Sequence, residues 1–435
     1  MLSRLLACGA GISTGTALVL AVLVAGSGSV QTSAKVESGF KAAWGGSIAP
    51  PGATSATGTA LAAPDPAAPP GLDLQQGPLA RQCPLATVEA PWLTVAPLPE
   101  PPKLPEAPRS LEARIAFWKK VWGELGDHQT LLVDDRRPSV VHASVDCRDL
   151  YATGNSNAKE DCGARVTTAR RAVQNKLKDK RAALRALHDK KLARDARQHV
   201  IGVQGRKDAL DRARERARPQ LAHAEALFAE QGVPRLYARA AIVESLWRPE
   251  ALSRSGAAGA FQFMPKTGRE WLQVVDGAVD ERLDPLRSSW AAARYLKHIH
   301  NDFQSWPLVL TAYNTGPARM KRVMKERHTK DLGVIADRGT LGEYGFDGQN
   351  YYAQIVAIAR LTRDDEFPLT VETGRTLEVT QDMSFADVVA CTQTSPVLLA
   401  RSNPALSSAV TEGKLAVPKG YVVQLPSEVT LTAMR

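Results

Sequence analysis

The stretch that decides the fold reads ESLWRP and occupies residues 244–249. A helix is predicted from Pro234 to about Trp247, because proline suits a first helical position and Pro249 disfavours helix at the residue before it. Glu244 is therefore expected in the last turn of this helix, close to its C-terminal end.

The surroundings of Glu244 favour the protonated form of its carboxyl group. The negative end of the helix dipole opposes a further negative charge, and apolar neighbours disfavour a carboxylate. A glutamic acid with a raised pKa can act as a general acid near neutral pH. The alternative is an exposed glutamate on a solvated helix face. The apolar neighbours in sequence are Leu236, Ala240, Ile242, Val243 and Trp247.

The segments that follow predict a tight turn and two further helices. Residues 253–268 read SRSGAAGAFQFMPKTG, and small residues of this kind let a substrate approach the backbone closely. Ser288 is predicted to cap a helix that is apolar on one side. Residues 306–313 predict another short apolar helix, which ends at Gly316 and Pro317.

The composition predicts a globular chain of two or three domains. Of the 435 residues, 44% are hydrophobic and 23% are charged, which suffices for a sizeable core. Residues 1–30 carry an early arginine and then an apolar run, which is typical of an export signal or an N-terminal membrane anchor. Residues 31–108 predict an Ala/Gly/Pro-rich linker, since 15 of the 28 prolines lie between Pro50 and Pro108.

The cysteines allow several disulfide pairings after export. Cys147 and Cys162 flank a polar loop and could pair locally, which would leave Cys83 and Cys391. Four exported cysteines allow three pairings, and the sequence does not choose among them. Buried free thiols are the alternative, and the spacings match no metal site.

Residues 109–222 predict a basic helical packing region, with short runs typical of strands near Leu132 and Val140. Between residues 165 and 218, eighteen Lys or Arg face six Asp or Glu, so the local net charge of +12 exceeds the formal +10 of the whole chain. The apolar spacing predicts a helical hairpin interrupted at residues 201–205. Its charges indicate a solvated face, or one attracted to an anionic membrane or wall polymer. No nucleic acid is expected, because interleaved aromatic residues are absent.

The order and spacing of the central motifs resemble the soluble lytic transglycosylase domain of the lysozyme-like superfamily, and most closely the D-type membrane-bound lytic murein transglycosylases. The resemblance implies a mainly α fold, with a lysozyme-like helical catalytic domain at residues 223–365 after the basic helical region. The residues that carry it are Glu244, Ser245, Ser253, Gly256, Ala257, Gly259, Gln262, Met264, Pro265, Asp280, Glu281, Arg282, Asp284, Pro285, Ala312, Tyr313, Asn314 and Gly316.

The resemblance implies an enzyme of the periplasmic side of the bacterial cell envelope whose partner is peptidoglycan. It would cleave the β-1,4 bond between N-acetylmuramic acid and N-acetylglucosamine without water and leave a 1,6-anhydromuramoyl end. A hydrolase usually needs a second carboxylate. Here the C6 hydroxyl of the sugar would attack, so that Glu244 alone serves as acid and then as base. No cofactor and no metal are implied.

Several residues of the turn are implied in substrate binding. Ser253 would contact the N-acetyl group, and Gln262 and Met264 would line the sugar cleft. Ser245 would either orient the catalytic glutamate or fill the helix end. Packing or capping is the alternative role for these side chains, above all for the methionine, which is usually a core residue. Residues 259–260 depart mildly from the family, since Ala follows the glycine where Leu or Trp is preferred.

The residues expected to form the far wall of the cleft differ more from the family pattern. Tyr313 with Asn314 would hold Glu244 and the sugar ring. Residues 347–352 read DGQNYY, where many members carry a Glu-Thr pair four residues before Tyr-Val. Tyr351 is expected to be the cleft tyrosine, with the tyrosine that follows it as a rival.

Residues 372–428 predict a small α+β module, with strands that flank helices around Val388 and Leu398. The pattern resembles a LysM-like glycan-binding module. The Gly-Asp-Thr-Leu opening is replaced by DMSF at residues 382–385, so glycan binding and a structural cap both stay open. For the whole chain, the alternatives are a muramidase that hydrolyses the same bond and a peptidoglycan-binding scaffold without catalysis.

Overall fold

The chain is described over five ranges. The computed structural model describes residues 83–95, 107–186, 200–338, 341–362 and 374–426. The predicted export or anchor segment and most of the predicted linker lie outside these ranges. Within them, no helix combines the length and the apolar character that crossing a membrane requires.

The N-terminal part combines helices with a three-stranded sheet. Its elements are β1 (Leu85–Thr87), a 3-10 turn (Arg109–Leu111), α1 (Glu112–Gly123), β2 (Gln129–Asp134), β3 (Val141–Asp146), α2 (Arg148–Ala152), α3 (Ala158–Ala186), β4 (Val200–Gln204) and α4 (Lys207–Ala217). Strands β3, β2 and β4 form an antiparallel sheet with β2 in the centre. The two strands predicted near Leu132 and Val140 are thereby confirmed.

The prediction of a helical hairpin is wrong for the segment between its two helices, which is a strand and not a turn. Residues 200–204 form a strand, in which Val203 pairs with Leu131 of β2. The physical reason is that a run of β-branched residues favours a strand, and its backbone groups find partners on β2. The region is therefore a helix, a strand and a second helix, and the exposed lysines of α3 form a solvated face, as expected.

A disulfide joins Cys147 to Cys162, which is the local pairing among the possibilities that the sequence left open. Both cysteines are buried beside Leu132, Val145 and Val200, where the apolar side of α3 covers the sheet. The bond therefore ties the start of α3 to the end of β3.

The central part is almost entirely helical. Its elements are α5 (Leu221–Glu230), a 3-10 helix (Arg235–Arg239), α6 (Ala240–Ser245), α7 (Pro265–Trp271), β5 (Val274–Val275), β6 (Val279–Asp280), a 3-10 turn (Glu281–Leu283), α8 (Pro285–Phe303), α9 (Trp306–Thr315), α10 (Pro317–Arg327), α11 (Leu332–Arg338) and α12 (Leu341–Leu361). The prediction of a mainly α chain is confirmed.

Two predicted helix ends need correction. The helix expected to reach Trp247 ends at Ser245, because Leu246 and Trp247 adopt left-handed φ angles of 56° and 55°. Burial of the large indole side chain accompanies this sharp exit from the helix. The chain thus turns before the proline at which the sequence pattern predicted the stop.

The cap of α8 is Asp284, and the prediction of Ser288 as its cap is wrong. The Asp284 carboxylate accepts hydrogen bonds from the amides of Leu286 and Arg287, at 3.0 and 3.1 Å. An aspartate before a proline at the first helical position is a strong start signal. Ser288 lies one turn inside the helix, where its hydroxyl donates to the Pro285 carbonyl.

The C-terminal part has the predicted order of strand, helices and strand. Its elements are β7 (Thr376–Val379), α13 (Phe385–Thr392), α14 (Pro396–Ser402), α15 (Ser408–Thr411) and β8 (Val422–Gln424). Strand β1 pairs with β7 on the side opposite β8, and a disulfide joins Cys83 to Cys391.

The linker prediction is therefore wrong for residues 83–95. This stretch supplies a third strand to the C-terminal sheet, and it buries Trp92 and Leu93 against α5 and α8. Proline enrichment does not prevent ordering where strand pairing, a disulfide and buried aromatic surface offset the entropy cost.

The C-terminal part is docked on the central helices. The amide of Asp280 donates to the Ala405 carbonyl at 2.8 Å, and the amide of Ser407 donates to the Ala278 carbonyl at 2.9 Å. The guanidinium of buried Arg287 lies 4.4 Å from the ring centroid of Trp92 and 4.7 Å from that of Tyr421. Backbone pairing and a buried cation together join the two parts.

Candidate active site

Glu244 lies in the last turn of α6, half-buried between α6, α9 and α12. The Tyr351 hydroxyl donates a hydrogen bond of 2.7 Å to its Oε1 atom. A carboxyl group that is enclosed by protein but still reaches solvent is suited to exchange protons with a substrate.

The pKa of Glu244 is raised to about 7, mainly by burial and in smaller part by the negative charge of Asp347, while the hydrogen bond from Tyr351 opposes both effects. A carboxyl group with this pKa is protonated in about half of the molecules at neutral pH. The raised pKa that the sequence predicted is therefore present, with burial as its main physical cause.

The turn after Glu244 is fixed from two sides. Arg216 of α4 donates to the Leu246 carbonyl through Nε at 3.0 Å and through Nη2 at 2.8 Å. The Ser245 hydroxyl donates to the Ala260 carbonyl at 2.9 Å. Ser245 is only 2% exposed, so the structure places its side chain against the backbone of the turn rather than in an open cleft.

The turn between α6 and α7 depends on Gly259, whose φ is +81°. A Cβ atom at this position would lie 1.6 Å from the Arg282 carbonyl oxygen, so only glycine fits. Gln262 also has a positive φ, of 51°, and its Nε2 donates to the carbonyls of Ala251 and Gly259. The side-chain nitrogen of Gln262 thus holds the turn.

Ser253 and Met264 lie at the two ends of this turn. The Ser253 hydroxyl accepts from the Ala257 amide at 2.8 Å and lies 3.0 Å from the Ser255 hydroxyl. Met264 precedes the first residue of α7 and is 45% exposed. The core role considered for this methionine is therefore wrong.

Tyr313 and Asn314 lie at the end of α9. The Tyr313 hydroxyl donates to the Phe261 carbonyl at 2.8 Å, and its ring stacks on that of Tyr351 with centroids 6.5 Å apart. Burial and the charge of Glu244 hold the pKa of Tyr313 well above its usual value. The Asn314 side chain is exposed. The direct hydrogen bond to Glu244 comes from Tyr351, and the roles expected of Tyr313 and Asn314 toward Glu244 and the sugar ring stay predictions.

Between the two rival tyrosines, the structure places Tyr351 at the carboxyl group. Tyr352, which follows it in α12, points elsewhere and is buried. Consecutive helical residues point about 100° apart, so only one of them can face Glu244.

Asp347 is the site residue that sequence reasoning missed. It lies four residues before Tyr351, on the same face of α12, and its charge acts on Glu244. Burial raises the pKa of Asp347 to about 6, and the guanidinium of Arg206 opposes that rise. The signal was present, since Asp347 stands where the family carries the glutamate of its Glu-Thr pair. Glu244 therefore has a second carboxyl group in its electrostatic surroundings, which the sequence analysis did not predict.

The described part of the chain holds no group of three His, Cys, Asp or Glu side chains arranged to bind a metal ion.

Comparison with known proteins points to one family. Residues 223–333 match the transglycosylase SLT domain. Membrane-bound lytic murein transglycosylase D of Escherichia coli strain K12 is 35% identical over 85 residues, which are 19% of this chain and 19% of that protein. Membrane-bound lytic murein transglycosylase F of Alcanivorax borkumensis is 32% identical over 103 residues, which are 21% of each chain.

Among solved structures, the 70 kDa soluble lytic transglycosylase of Escherichia coli is similar with a TM-score of 0.27 and 23% identity, over 32% of this chain and 26% of that one. The chain spans about a fifth of the length of the curated relatives it matches. Glu244 lies inside the matched residues, whereas Asp347 and Tyr351 lie beyond them. Residues 223–333 thus form a largely helical segment that matches the transglycosylase SLT domain family.

Proposed function

We propose that this protein cleaves the glycan strands of peptidoglycan at the β-1,4 bond between N-acetylmuramic acid and N-acetylglucosamine and leaves 1,6-anhydromuramoyl ends. The observation that carries the proposal is the half-buried Glu244, which has a pKa of about 7 and lies in the segment that matches the transglycosylase SLT domain. The matched relatives are named lytic murein transglycosylases.

Glu244 serves both steps of the reaction. As a protonated acid it gives its proton to the leaving glycosidic oxygen while the bond from that oxygen to C1 breaks. The resulting carboxylate then takes the proton of the C6 hydroxyl as that oxygen bonds to C1. Glu244 ends the cycle protonated, and no water is consumed.

Tyr351 and Asp347 tune this cycle in opposite directions. The Tyr351 hydrogen bond stabilises the carboxylate that exists between the two steps, and the charge of Asp347 favours the acid that begins the cycle. A pKa close to the working pH lets one group donate and then accept a proton.

The surrounding residues take the substrate. Met264 offers an exposed apolar side chain to the sugar rings, and Gln262 offers its amide oxygen. Ser253 contacts the N-acetyl group, and Asn314 contacts the ring from the opposite wall. Tyr313 acts through its stacking on Tyr351, and Ser245 acts by holding the turn.

Asp347 favours one second candidate, a muramidase that hydrolyses the same bond. Glycoside hydrolases use a second carboxylate as a nucleophile or to activate water. With a pKa of about 6, Asp347 is largely ionised at pH 7 and could take that role. The anhydro product remains our proposal, because the matched family and both matched relatives are named transglycosylases.

The flanking parts of the chain deliver the site to its substrate. In this proposal residues 1–30 export or anchor the protein, so that it works on the periplasmic side of the cell envelope. The C-terminal part is a LysM-like module that binds glycan. Its α14 exposes Val397 and Leu398, by 73% and 48% of their surface, and such apolar residues can pack against sugar rings.

Clearing of a suspension of purified sacculi tests the role of Glu244. The wild-type chain is expected to lower the turbidity, and Glu244→Gln is expected to slow clearing by about 10²-fold or more, since the isosteric amide cannot donate the proton. Co-sedimentation with the same sacculi is expected to stay unchanged. Full clearing by the variant would refute the assigned role, and binding without clearing by the wild type would favour the scaffold.

A further inference from the structure

Helix α12, which carries Tyr351, is held from its other side by a part of the chain that lies far away in sequence. Helix α1 packs along it and, like α12, lies outside the residues that match the family. Buried polar contacts, and not only apolar packing, join the two helices.

The first of these contacts centres on Asn350, which is fully buried. Its Oδ1 accepts hydrogen bonds of 2.9 Å from Arg114 Nη1 and from Trp118 Nε1. Its Nδ2 donates to the Phe346 carbonyl at 2.7 Å. Both donors are also buried, so water cannot replace these bonds.

A second contact lies one helical turn further along. Trp122 Nε1 donates to Gln354 Oε1 at 3.3 Å, and both side chains are buried. The guanidinium of Arg206 lies 5.8 Å from the Trp122 ring centroid. Since Asn350 and Gln354 are four residues apart, two points on one face of α12 are fixed.

Two adjacent residues of α12 make contacts on different sides of the helix: Asn350 contacts α1, and Tyr351 contacts Glu244. Asn350 and Tyr351 point about 100° apart around the helix axis. A rotation of α12 by about 10° would move the Tyr351 hydroxyl by on the order of 1 Å, because this group lies far from the axis. A hydrogen bond of 2.7 Å to Glu244 does not tolerate such a displacement.

We propose that Arg114 and Trp118 are positioning residues of the active site: through Asn350 they fix the rotation of α12 that brings Tyr351 onto Glu244. Residues 109–123 then belong to the functional unit. The inference rests on the proposed role of Glu244. It goes beyond the matched family, because neither helix that makes these contacts lies in the matched residues.

The pKa of Glu244 is the quantity to measure, because the titratable groups around Glu244 determine it. Tyr351 and Asp347 face it from α12, and the Tyr313 ring faces it from α9. The charge of Arg206 lowers the pKa of Asp347, and the charge of Asp127 raises the pKa of Arg206. The Tyr351 hydrogen bond lowers the pKa of Glu244, so displacement of this hydroxyl is expected to raise that pKa above about 7.

The experiment titrates the Glu244 carboxyl in the full chain by infrared difference spectroscopy, with Glu244→Gln to assign the band. Trp118→Phe keeps a large aromatic ring and removes the donor. We expect Trp118→Phe to raise the pKa by at least half as much as Tyr351→Phe does. We also expect the double variant to titrate like Tyr351→Phe alone, because both changes act on one hydrogen bond.

Glu112→Gln is the matched control. Glu112 joins the same two helices through Arg360, at 2.8 and 2.9 Å, but this ion pair lies at the surface. The control is expected to leave the pKa of Glu244 unchanged. If Trp118→Phe does not fold, Arg114→Lys, which keeps the positive charge but removes the guanidinium that donates to Asn350, replaces it.

An unchanged pKa in the folded Trp118 or Arg114 variant would overturn the proposal. So would shifts that add in the double variant. The titration needs no turnover, so these outcomes are independent of the reaction products. If sacculi are cleaved by hydrolysis or not at all, the proposed function fails while the positioning role can still be observed.

Discussion

The hydroxyl group of Tyr351 donates a hydrogen bond of 2.7 Å to the carboxyl group of Glu244, across 107 residues of sequence. The bond joins α12 to the end of α6 and opposes the effect of burial on the pKa of Glu244. The carboxyl group is thus enclosed enough to hold a proton at neutral pH and is still oriented by a fixed donor.

Replacing Tyr351 by phenylalanine is expected to slow cleavage by about 10-fold or more, because the carboxyl group loses its orientation. The acid form is needed first, so activity falls as pH rises through the pKa of Glu244, which is about 7. Loss of the hydrogen bond raises that pKa, and the alkaline limb of kcat/KM should move to higher pH. A limb that stays in place would show that the bond does not act on Glu244.

Replacing Asp347 by asparagine is expected to move the alkaline limb of kcat/KM to lower pH. The charge of Asp347 raises the pKa of Glu244, so its removal lowers that pKa and shifts the alkaline limb to lower pH. The pH dependence of kcat/KM for both variants checks the sign. Opposite displacements are predicted, and displacements of the same sign would contradict the assignment. Complete loss of cleavage would indicate instead that Asp347 is the second carboxylate of a hydrolase.

The raised pKa of Glu244 also predicts a dependence of stability on pH. Its folded-state pKa of about 7 exceeds its ordinary value of 4.5, so the native state binds more protons between these two pH values. Stability contributed by the protonated group is present below about pH 4.5 and is lost as pH rises to about 7. Relative to Glu244→Gln, the wild type should lose about 2–3 kcal/mol over this window. Urea unfolding of both proteins at pH 4.5 and pH 8 tests this, and an equal pH dependence would contradict it.

Replacing Gly259 by alanine is expected to destabilise the turn by about 3 kcal/mol or more, since its Cβ would lie 1.6 Å from the Arg282 carbonyl oxygen. Gly154→Ala is the matched control. Gly154 also has a positive φ, of +64°, but open space surrounds it, so only a backbone cost of about 1 kcal/mol is expected. Thermal unfolding compares the two. Equal costs would show that the close approach to Arg282 does not constrain the turn.

The two disulfides are expected to make different contributions to the free energy of unfolding. The Cys83–Cys391 bond spans 308 residues and the Cys147–Cys162 bond spans 15. Chain-entropy arguments assign about 5–6 kcal/mol to the first and about 3 kcal/mol to the second. Denaturant unfolding of the two double Cys→Ala variants measures this order. A larger loss for the short loop would contradict the chain-entropy explanation.

Residues near Glu244 were predictable because they depend on local signals. The placement of Glu244 in the last turn of its helix and the small-residue turn follow from short-range signals, and the cause of the raised pKa followed from apolar neighbours. The tyrosine of α12 followed from the family resemblance. The sequence could not identify Asp347 as a partner of Glu244, because their proximity depends on how α12 packs on α6.

The predictions that failed are those that tertiary contacts decide. Val200–Gln204 becomes a strand because β2 offers it partners. Residues 83–95 are ordered because a strand and a disulfide 308 residues away hold them. Ser288 and Asp284 both carry capping side chains, and only the structure shows which one meets the free amides.

The most direct test of the central claim is mass spectrometry of the fragments that the purified chain releases from sacculi. The account predicts muropeptides with 1,6-anhydromuramoyl ends from the wild type, and their near absence from the Glu244→Gln digest. Fragments that carry reducing N-acetylmuramic acid ends would contradict it and would identify the protein as a hydrolase.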